Sequence, residues 1–169
     1  MSDDAVQLDP VMPGALLGVL GGGQLGAMFA VAARRMGYRV AVITDTQECP
    51  AARHADRLHV GSYDDPAFLA QAAEGLSVVT FEFENVPASV MNFLSDHCPV
   101  SPGYLALHTA QHRIREKTLA LNLGISTPKF WPISNNSELK SAMQNHGLPC
   151  ILKKCIILEL LNKDMSLKK

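Results

Sequence analysis

The 169-residue sequence predicts an α/β fold built on a parallel sheet, followed by the start of a second domain. Three observations carry that expectation. Short apolar runs alternate with helix-period segments through about residue 104, the pattern of strand–helix–strand units joined by right-handed crossovers. The first apolar run ends in a glycine turn and the fourth ends in acids, and open α/β sheets gather ligands at the carboxyl ends of their strands. From residue 105 onward the texture changes to a charge-rich helix.

The elements follow in order. Residues 1–14 are acidic and lack the basic start of a secretory signal, so they are expected to form a flexible extension. Residues 15–20 are apolar and end in glycines, a first strand. Leu25, Met28, Phe29, Ala32, Ala33 and Met36 then recur at helical spacing, which predicts an amphipathic helix with this face on the core and Gly37 closing it. Residues 39–44 form the second strand, with Asp45 at its tip, and 50–55 a short helix. Residues 58–60 form the third strand, and Asp64-Asp65 open a helix over 66–74, where carboxylates suit a helix N-terminus. Residues 78–81 are the fourth strand, 87–95 the next helix, and Val100 a last short strand. Beyond these, 111–123 reads as a charged helix closed by Gly124, and strands at 129–133 and 150–153 flank a helix over 137–146. The tail, 155–169, has apolar residues at helical spacing and a basic end; alone it would be a marginal helix.

Composition narrows the function classes. Hydrophobic residues make up 47% and charged residues 18%, enough for an ordinary core. A net charge of −1 gives no reason to expect nucleic-acid or anionic-membrane binding, and no apolar run approaches the roughly 18 residues of a membrane span. Cys49, Cys98, Cys150 and Cys155 have neither zinc-site nor redox-motif spacing and fit free thiols in a reducing, cytoplasmic compartment. The histidines form no metal motif.

Two loops carry chemistry. Gly21-x-Gly23-x-x-Gly26 fits the dinucleotide fingerprint, in which glycines let a phosphate approach backbone N–H groups at a helix N-terminus. Asp45 lies about twenty residues on, where a ribose-binding acid would sit in a Rossmann domain. Taken alone, these favour an NAD-binding Rossmann module. Against it, the sheet gives way near residue 105 to a basic helix, and nothing supplies a hydride acceptor site or an acid/base pair. The second loop, Glu82-Phe83-Glu84-Asn85-Val86-Pro87, follows the apolar run Val78-Val79-Thr80-Phe81. It sets two carboxylates and an amide at a strand tip, where a purely structural strand needs none.

These loops, with Ala32-Ala33-Arg34-Arg35-Met36-Gly37-Tyr38, Pro50-Ala51-Ala52, Ala55-Asp56-Arg57, Gly61-Ser62-Tyr63-Asp64-Asp65, Gln111-His112-Arg113 and Arg115-Glu116-Lys117, resemble 5-(carboxyamino)imidazole ribonucleotide synthases, ATP-grasp enzymes of purine biosynthesis. The resemblance runs from about residue 15 to residue 153. It implies a Rossmann-like pre-ATP-grasp domain over 15–104, the truncated start of an ATP-grasp domain over 105–153, and a tail over 154–169 foreign to the family. The implied reaction joins bicarbonate to the exocyclic amine of 5-aminoimidazole ribonucleotide through carboxyphosphate made from ATP. Cations stabilise the charge on the transferred phosphoryl group. The resemblance further implies Mg²⁺ as cofactor and a homodimer.

Carried onto this chain, the resemblance assigns Gly22, Gly23, Gln24 and Leu25, facing Glu82 and Glu84, to one wall of the ribonucleotide site, and Arg113 and Lys153 to ATP phosphates. The catalytic residues and Mg²⁺ ligands would lie outside this chain. Ala27 stands where the family often has arginine, and His112 where an acid or amide is usual. After Lys153 the family's glycine-rich phosphate loop is missing, which implies a truncated, frame-shifted or fragmentary product, inactive alone. A related purine-pathway enzyme, such as a formate-dependent glycinamide ribonucleotide transformylase, is the alternative within the superfamily.

Overall fold

The computed structural model describes residues 10–146 and 149–156. The chain divides into two compact units, one up to Tyr104 and one from Leu105 onward.

The first unit is built on β1 (Leu16–Leu20), β2 (Arg39–Thr44), β3 (Arg57–Val60) and β4 (Val78–Phe81). All pairings are parallel, in the order β3-β2-β1-β4. Val79 also bridges to Val100 in parallel, so the short strand expected at Val100 is a single bridge. Strands buried on both faces read as continuous apolar runs, and five of six residues of β2 are buried. Crossovers are supplied by α1 (Gln24–Arg35), a 3₁₀ helix (Pro50–His54), α2 (Pro66–Ala73) and α3 (Ala88–Ser95). The core on one face joins Val19, Val40 and Val42 to Ala30 and Ala33 of α1 and Ala51 of the 3₁₀ helix.

Local chemistry explains the boundaries. The Asp65 side chain accepts from the N–H groups of Ala67 (2.9 Å) and Phe68 (3.3 Å), capping α2, and Pro66 fits the first helical position. Gly37 takes φ +87° after α1. Asp56 accepts from the Val40 amide at 2.8 Å and pairs with Arg34 at 3.2 Å, tying the approach to β3 to β2 and α1. At the end of the expected flexible extension, Tyr38 donates to the Val11 carbonyl at 2.8 Å and Gly14 N–H to Gly37 at 2.7 Å.

The helix α1 corrects the expected core face. Leu25, Met28 and Met36 are 60%, 67% and 62% exposed, and Ala32 is exposed; Gly26, Ala30 and Ala33 are buried. The helix lies so close to the glycine turn that a Cβ on Gly26 would sit 2.7 Å from the Gly21 carbonyl oxygen. Only small side chains fit there, so the long apolar ones turn outward.

The second unit holds α4 (Tyr104–Ala110, its first residue at the division), α5 (Arg113–Asn122) and α6 (Asn136–His146). The single helix expected over 111–123 is shorter, because His112 takes an extended conformation that separates it from the unforeseen α4. Asn135 and Glu138 cap α6 reciprocally: the Asn135 side chain accepts from Glu138 N–H at 3.0 Å, and Glu138 accepts from Ser134 N–H at 2.7 Å. The strands expected at 129–133 and 150–153 do not form. Among the described residues neither finds a partner ladder; the one bridge in this unit pairs His112 with Ile156. The expected tail helix lies almost wholly outside the described residues.

Candidate functional site

The strand order places the tips of β1 and β4 side by side, with successive crossovers leaving β1 in opposite directions. Such a switch point is the ligand crevice of open α/β sheets. The glycine turn after β1 and Glu82 after β4 meet there. The Glu82 carboxylate accepts from Gly23 N–H at 2.7 Å through Oε1 and from Gly26 N–H through Oε2. The Glu82 amide donates to Leu20 at 3.0 Å, and Gly21 N–H to Ile43 at 2.9 Å.

This geometry dictates the glycines. Gly21 has φ +106°, a conformation that L side chains rarely adopt. Gly22 leaves no room for a Cβ beside Cys49 Sγ and Thr44 Oγ1. The carboxylate sits against the positive end of α1 and satisfies two of the N–H groups that a helix start leaves unpaired. It stands where the dinucleotide fingerprint would place a diphosphate, so the fingerprint serves here to hold a side chain. Asp45, the expected ribose acid, is exposed at the tip of β2 and accepts from Thr46 Oγ1 at 3.0 Å.

Around this pair lie the other residues singled out in the sequence. Gln24 and Leu25 open α1 with exposed side chains. Among the described residues their amides donate to no protein acceptor, leaving two donors at the helix start. Glu84 is half-buried in the turn after Glu82, and Asn85 Oδ1 is buried with no hydrogen-bond partner among the described residues.

Tyr63, Thr44 and Cys49 were not singled out as site residues, yet they surround the same turn. The Tyr63 hydroxyl donates to Ile43 at 3.0 Å, and burial first, then the negative charge of Asp45, holds it protonated well above the usual phenol range. The signal that could have found them is positional: each follows or ends a parallel strand at its carboxyl end.

In the second unit, Arg113 and Lys153 line one groove of about 490 Å³. Lys117 and Lys129 join them, and among the described residues no carboxylate lines it. Lys117 donates to Thr127 at 2.8 Å and lies 5.3 Å from the centre of the Phe130 ring, so its charge is held in place over an aromatic face. Trp131 stacks on His146 at 3.8 Å between ring centres. Four cations beside aromatic and aliphatic walls suit an anionic, partly aromatic ligand. Among the described residues no group of three or more His, Cys, Asp or Glu is placed to hold a metal ion. Cys49, Cys98, Cys150 and Cys155 are free thiols, and burial pushes the Cys98 thiol up. No helix among the described residues is long and apolar enough to cross a membrane.

Comparison with known proteins places this arrangement in a family. The ribonucleotide synthetase pre-ATP-grasp domain matches residues 15–111. The N5-carboxyaminoimidazole ribonucleotide synthase of Bacillus subtilis is 36% identical over 145 residues, 86% of this chain and 38% of that protein. The synthetase structure from Thermus thermophilus superposes with a TM-score of 0.72 at 40% identity, covering 79% of this chain and 37% of that one. The Aspergillus clavatus synthase, solved with ADP and 5-aminoimidazole ribonucleotide, gives 0.71 at 28% identity, covering 80% and 37%. The chain thus spans less than two fifths of the length of these relatives. With the parallel sheet, the carboxylate-filled glycine turn and a family match over more than half its length, the chain belongs to the ribonucleotide synthetase pre-ATP-grasp family.

Proposed function

We propose that this chain supplies the ribonucleotide-binding wall, and part of the ATP site, for ATP-dependent carboxylation of 5-aminoimidazole ribonucleotide in purine biosynthesis, and that it is inactive alone. The observation that carries the reading is the Glu82 carboxylate seated on Gly23 and Gly26. It rigidifies the turn, removes the diphosphate site an NAD module needs, and leaves the Gln24 and Leu25 amides for polar groups of a ribonucleotide. Glu84, on the same strand tip, faces the same task of accepting from ribose hydroxyls.

In the reaction, ATP converts bicarbonate to carboxyphosphate; the exocyclic amine attacks its carboxyl carbon, phosphate departs, and the amine loses a proton. Arg113 and Lys153, assisted by Lys117, would hold nucleotide phosphates by charge. Mg²⁺ would be held by acids outside the residues described here, and the full-length protein would act as a homodimer. The domain limits, 15–104 and 105–153, the foreign tail beyond 153 and a cytoplasmic setting complete the proposal.

Titration calorimetry tests it. Aminoimidazole ribonucleotide binds, and Glu82→Gln weakens it about tenfold or more by loosening the turn. Binding of NADH without the ribonucleotide would overturn the reading. Preference for glycinamide ribonucleotide would move the chain to the transformylase branch.

A further inference from the structure

The glycine turn that receives Glu82 is held from three sides. Glu82 takes the N–H groups of Gly23 and Gly26. The 3₁₀ helix takes the carbonyl of Gly22, to which Ala51 N–H donates at 3.0 Å. On the third side, Gly21 N–H donates to the Ile43 carbonyl at 2.9 Å, and the Tyr63 hydroxyl donates to the same oxygen at 3.0 Å. A carbonyl oxygen has two lone pairs and can serve both donors. In the order β3-β2-β1-β4, Tyr63 follows the edge strand β3 and Gly21 follows β1, two strands away. The Tyr63 side chain therefore reaches across the tip of β2 to the turn.

Its own backbone is firmly placed. Gly61 N–H donates to the Thr44 carbonyl at 3.0 Å, extending the pairing of β2 with β3 past Val60. A Cβ on Gly61 would lie 2.6 Å from the Phe68 ring, so this turn packs directly on α2. The Asp65 N–H donates to the Ser62 carbonyl at 3.1 Å, and the Asp65 side chain caps α2. A tyrosine has two side-chain torsions, so little freedom remains once its backbone is set. Burial first, then the negative charge of Asp45, keeps the hydroxyl protonated and therefore a donor.

We infer that Tyr63 is a positioning residue for ribonucleotide binding: through the Ile43 carbonyl it fixes the Gly21 peptide, and with it the direction of the Gln24 and Leu25 amides. The inference rests on the ribonucleotide reading of this turn. Removing the hydroxyl leaves the Ile43 carbonyl bonded to Gly21 N–H, so no buried polar group is orphaned and the fold is kept. What is lost is one anchor of a turn whose first glycine takes φ +106°. A looser turn must be ordered by the ligand, at a cost in affinity.

The test titrates aminoimidazole ribonucleotide into the 169-residue chain by calorimetry and reads amide exchange at Gly23 and Gly26. Tyr63→Phe is expected to weaken binding about fivefold to tenfold and to speed that exchange about fivefold, with the urea midpoint of the first unit unchanged. Tyr63→3-fluorotyrosine, which keeps the hydroxyl, is expected to restore both. With 3,5-difluorotyrosine at this position the phenol loses its proton at lower pH, and a phenolate donates nothing. Affinity should then fall as pH rises through the phenol's titration, read by its absorbance, while the wild type shows no such fall over the same range. Tyr38→Phe, which loses a bond to the Val11 carbonyl at the other end of the sheet, is expected to bind as the wild type does. Unchanged affinity and exchange in Tyr63→Phe overturn the inference. So does a urea midpoint that falls in step with affinity, which marks a purely structural hydroxyl, and so does failure of 3-fluorotyrosine to restore binding. If the wild-type chain does not bind the ribonucleotide, the ribonucleotide reading falls, and exchange at Gly23 and Gly26 alone decides whether Tyr63 holds the turn.

Discussion

The two units differ in how each completes its structure. In the first, Val19, Leu20, Val40, Val42 and Ile43 are fully buried, and every strand finds a parallel neighbour. In the second, Leu107 and Gln111 are the buried residues among those described, and its apolar side chains stand largely open. The second unit is the more charged of the two, yet its segments 129–133 and 150–153 carry apolar residues as the first unit's strands do, so local apolar character alone does not produce a core. The first unit draws its partners from within about ninety residues of continuous strand–helix repeats, and each crossover delivers the next strand beside an earlier one. The second has strand-like segments and, among the described residues, no neighbouring strand to receive them.

The largest test of that contrast sets a buried residue in one unit against an exposed one in the other. Ile43→Ala is expected to lower the stability of the first unit by about 2–5 kcal/mol in urea unfolding followed by far-ultraviolet circular dichroism, because it opens a cavity between packed faces. Leu152→Ala is expected to move the transition reported by Trp131 by less than about 0.5 kcal/mol. Equal losses would mean that the second unit has a core after all.

A smaller effect separates the glycine turn from the rest of the first unit. A Cβ on Gly26 would meet the Gly21 carbonyl oxygen at 2.7 Å and Glu82 Oε2 at 3.0 Å. Gly26→Ala should therefore cost about 1–3 kcal/mol by overpacking and weaken ribonucleotide binding with it. Stability lost with affinity kept would show that the turn is structural only.

The sequence was legible where local pattern and tertiary demand coincide. The four strands of the first unit appear within a residue or so of their expected limits; the central β1 and β2 were the easiest, because a strand covered on both faces must be largely apolar, whereas the edge strand β3 alternates polar and apolar residues. Asp65 and Pro66 announced α2 by capping chemistry that is local by nature. The extent of α1 was legible, but its buried face was not. Periodicity weighs Leu25 and Met28 above Gly26 and Ala30, whereas the distance between helix and glycine turn, which no periodicity records, selects the small ones. The strands expected at 129–133 and 150–153 failed for the complementary reason: the sequence supplies strand propensity, and a ladder needs a partner. At the site, the strand-tip rule drew attention to Glu82 before any geometry was known. Its two bonds to Gly23 and Gly26 were not legible, because a glycine fingerprint gives no sign of whether a phosphate or a carboxylate will fill it.

The smallest expected effect is a pH dependence confined to the first unit. His59 lies on β3, at the edge of the sheet, and its Nε2 is buried with no hydrogen-bond partner among the described residues. Burial first, then the charge of Arg57, lowers its pKa below the ordinary 6.5. The unfolded chain takes up a proton near that ordinary value while the folded chain resists it, so below it the unfolded state binds more protons. The stability associated with neutral His59 is therefore whole above 6.5 and lost progressively as pH falls through the lowered folded value. Urea midpoints read by circular dichroism at about pH 7.5 and about pH 5.5 should fall between the two conditions, and fall less in His59→Gln. The transition seen through Trp131 should show no such difference between the wild type and the variant. An equal shift in both units would trace the pH response to groups other than this edge-strand histidine and remove His59 from the contrast.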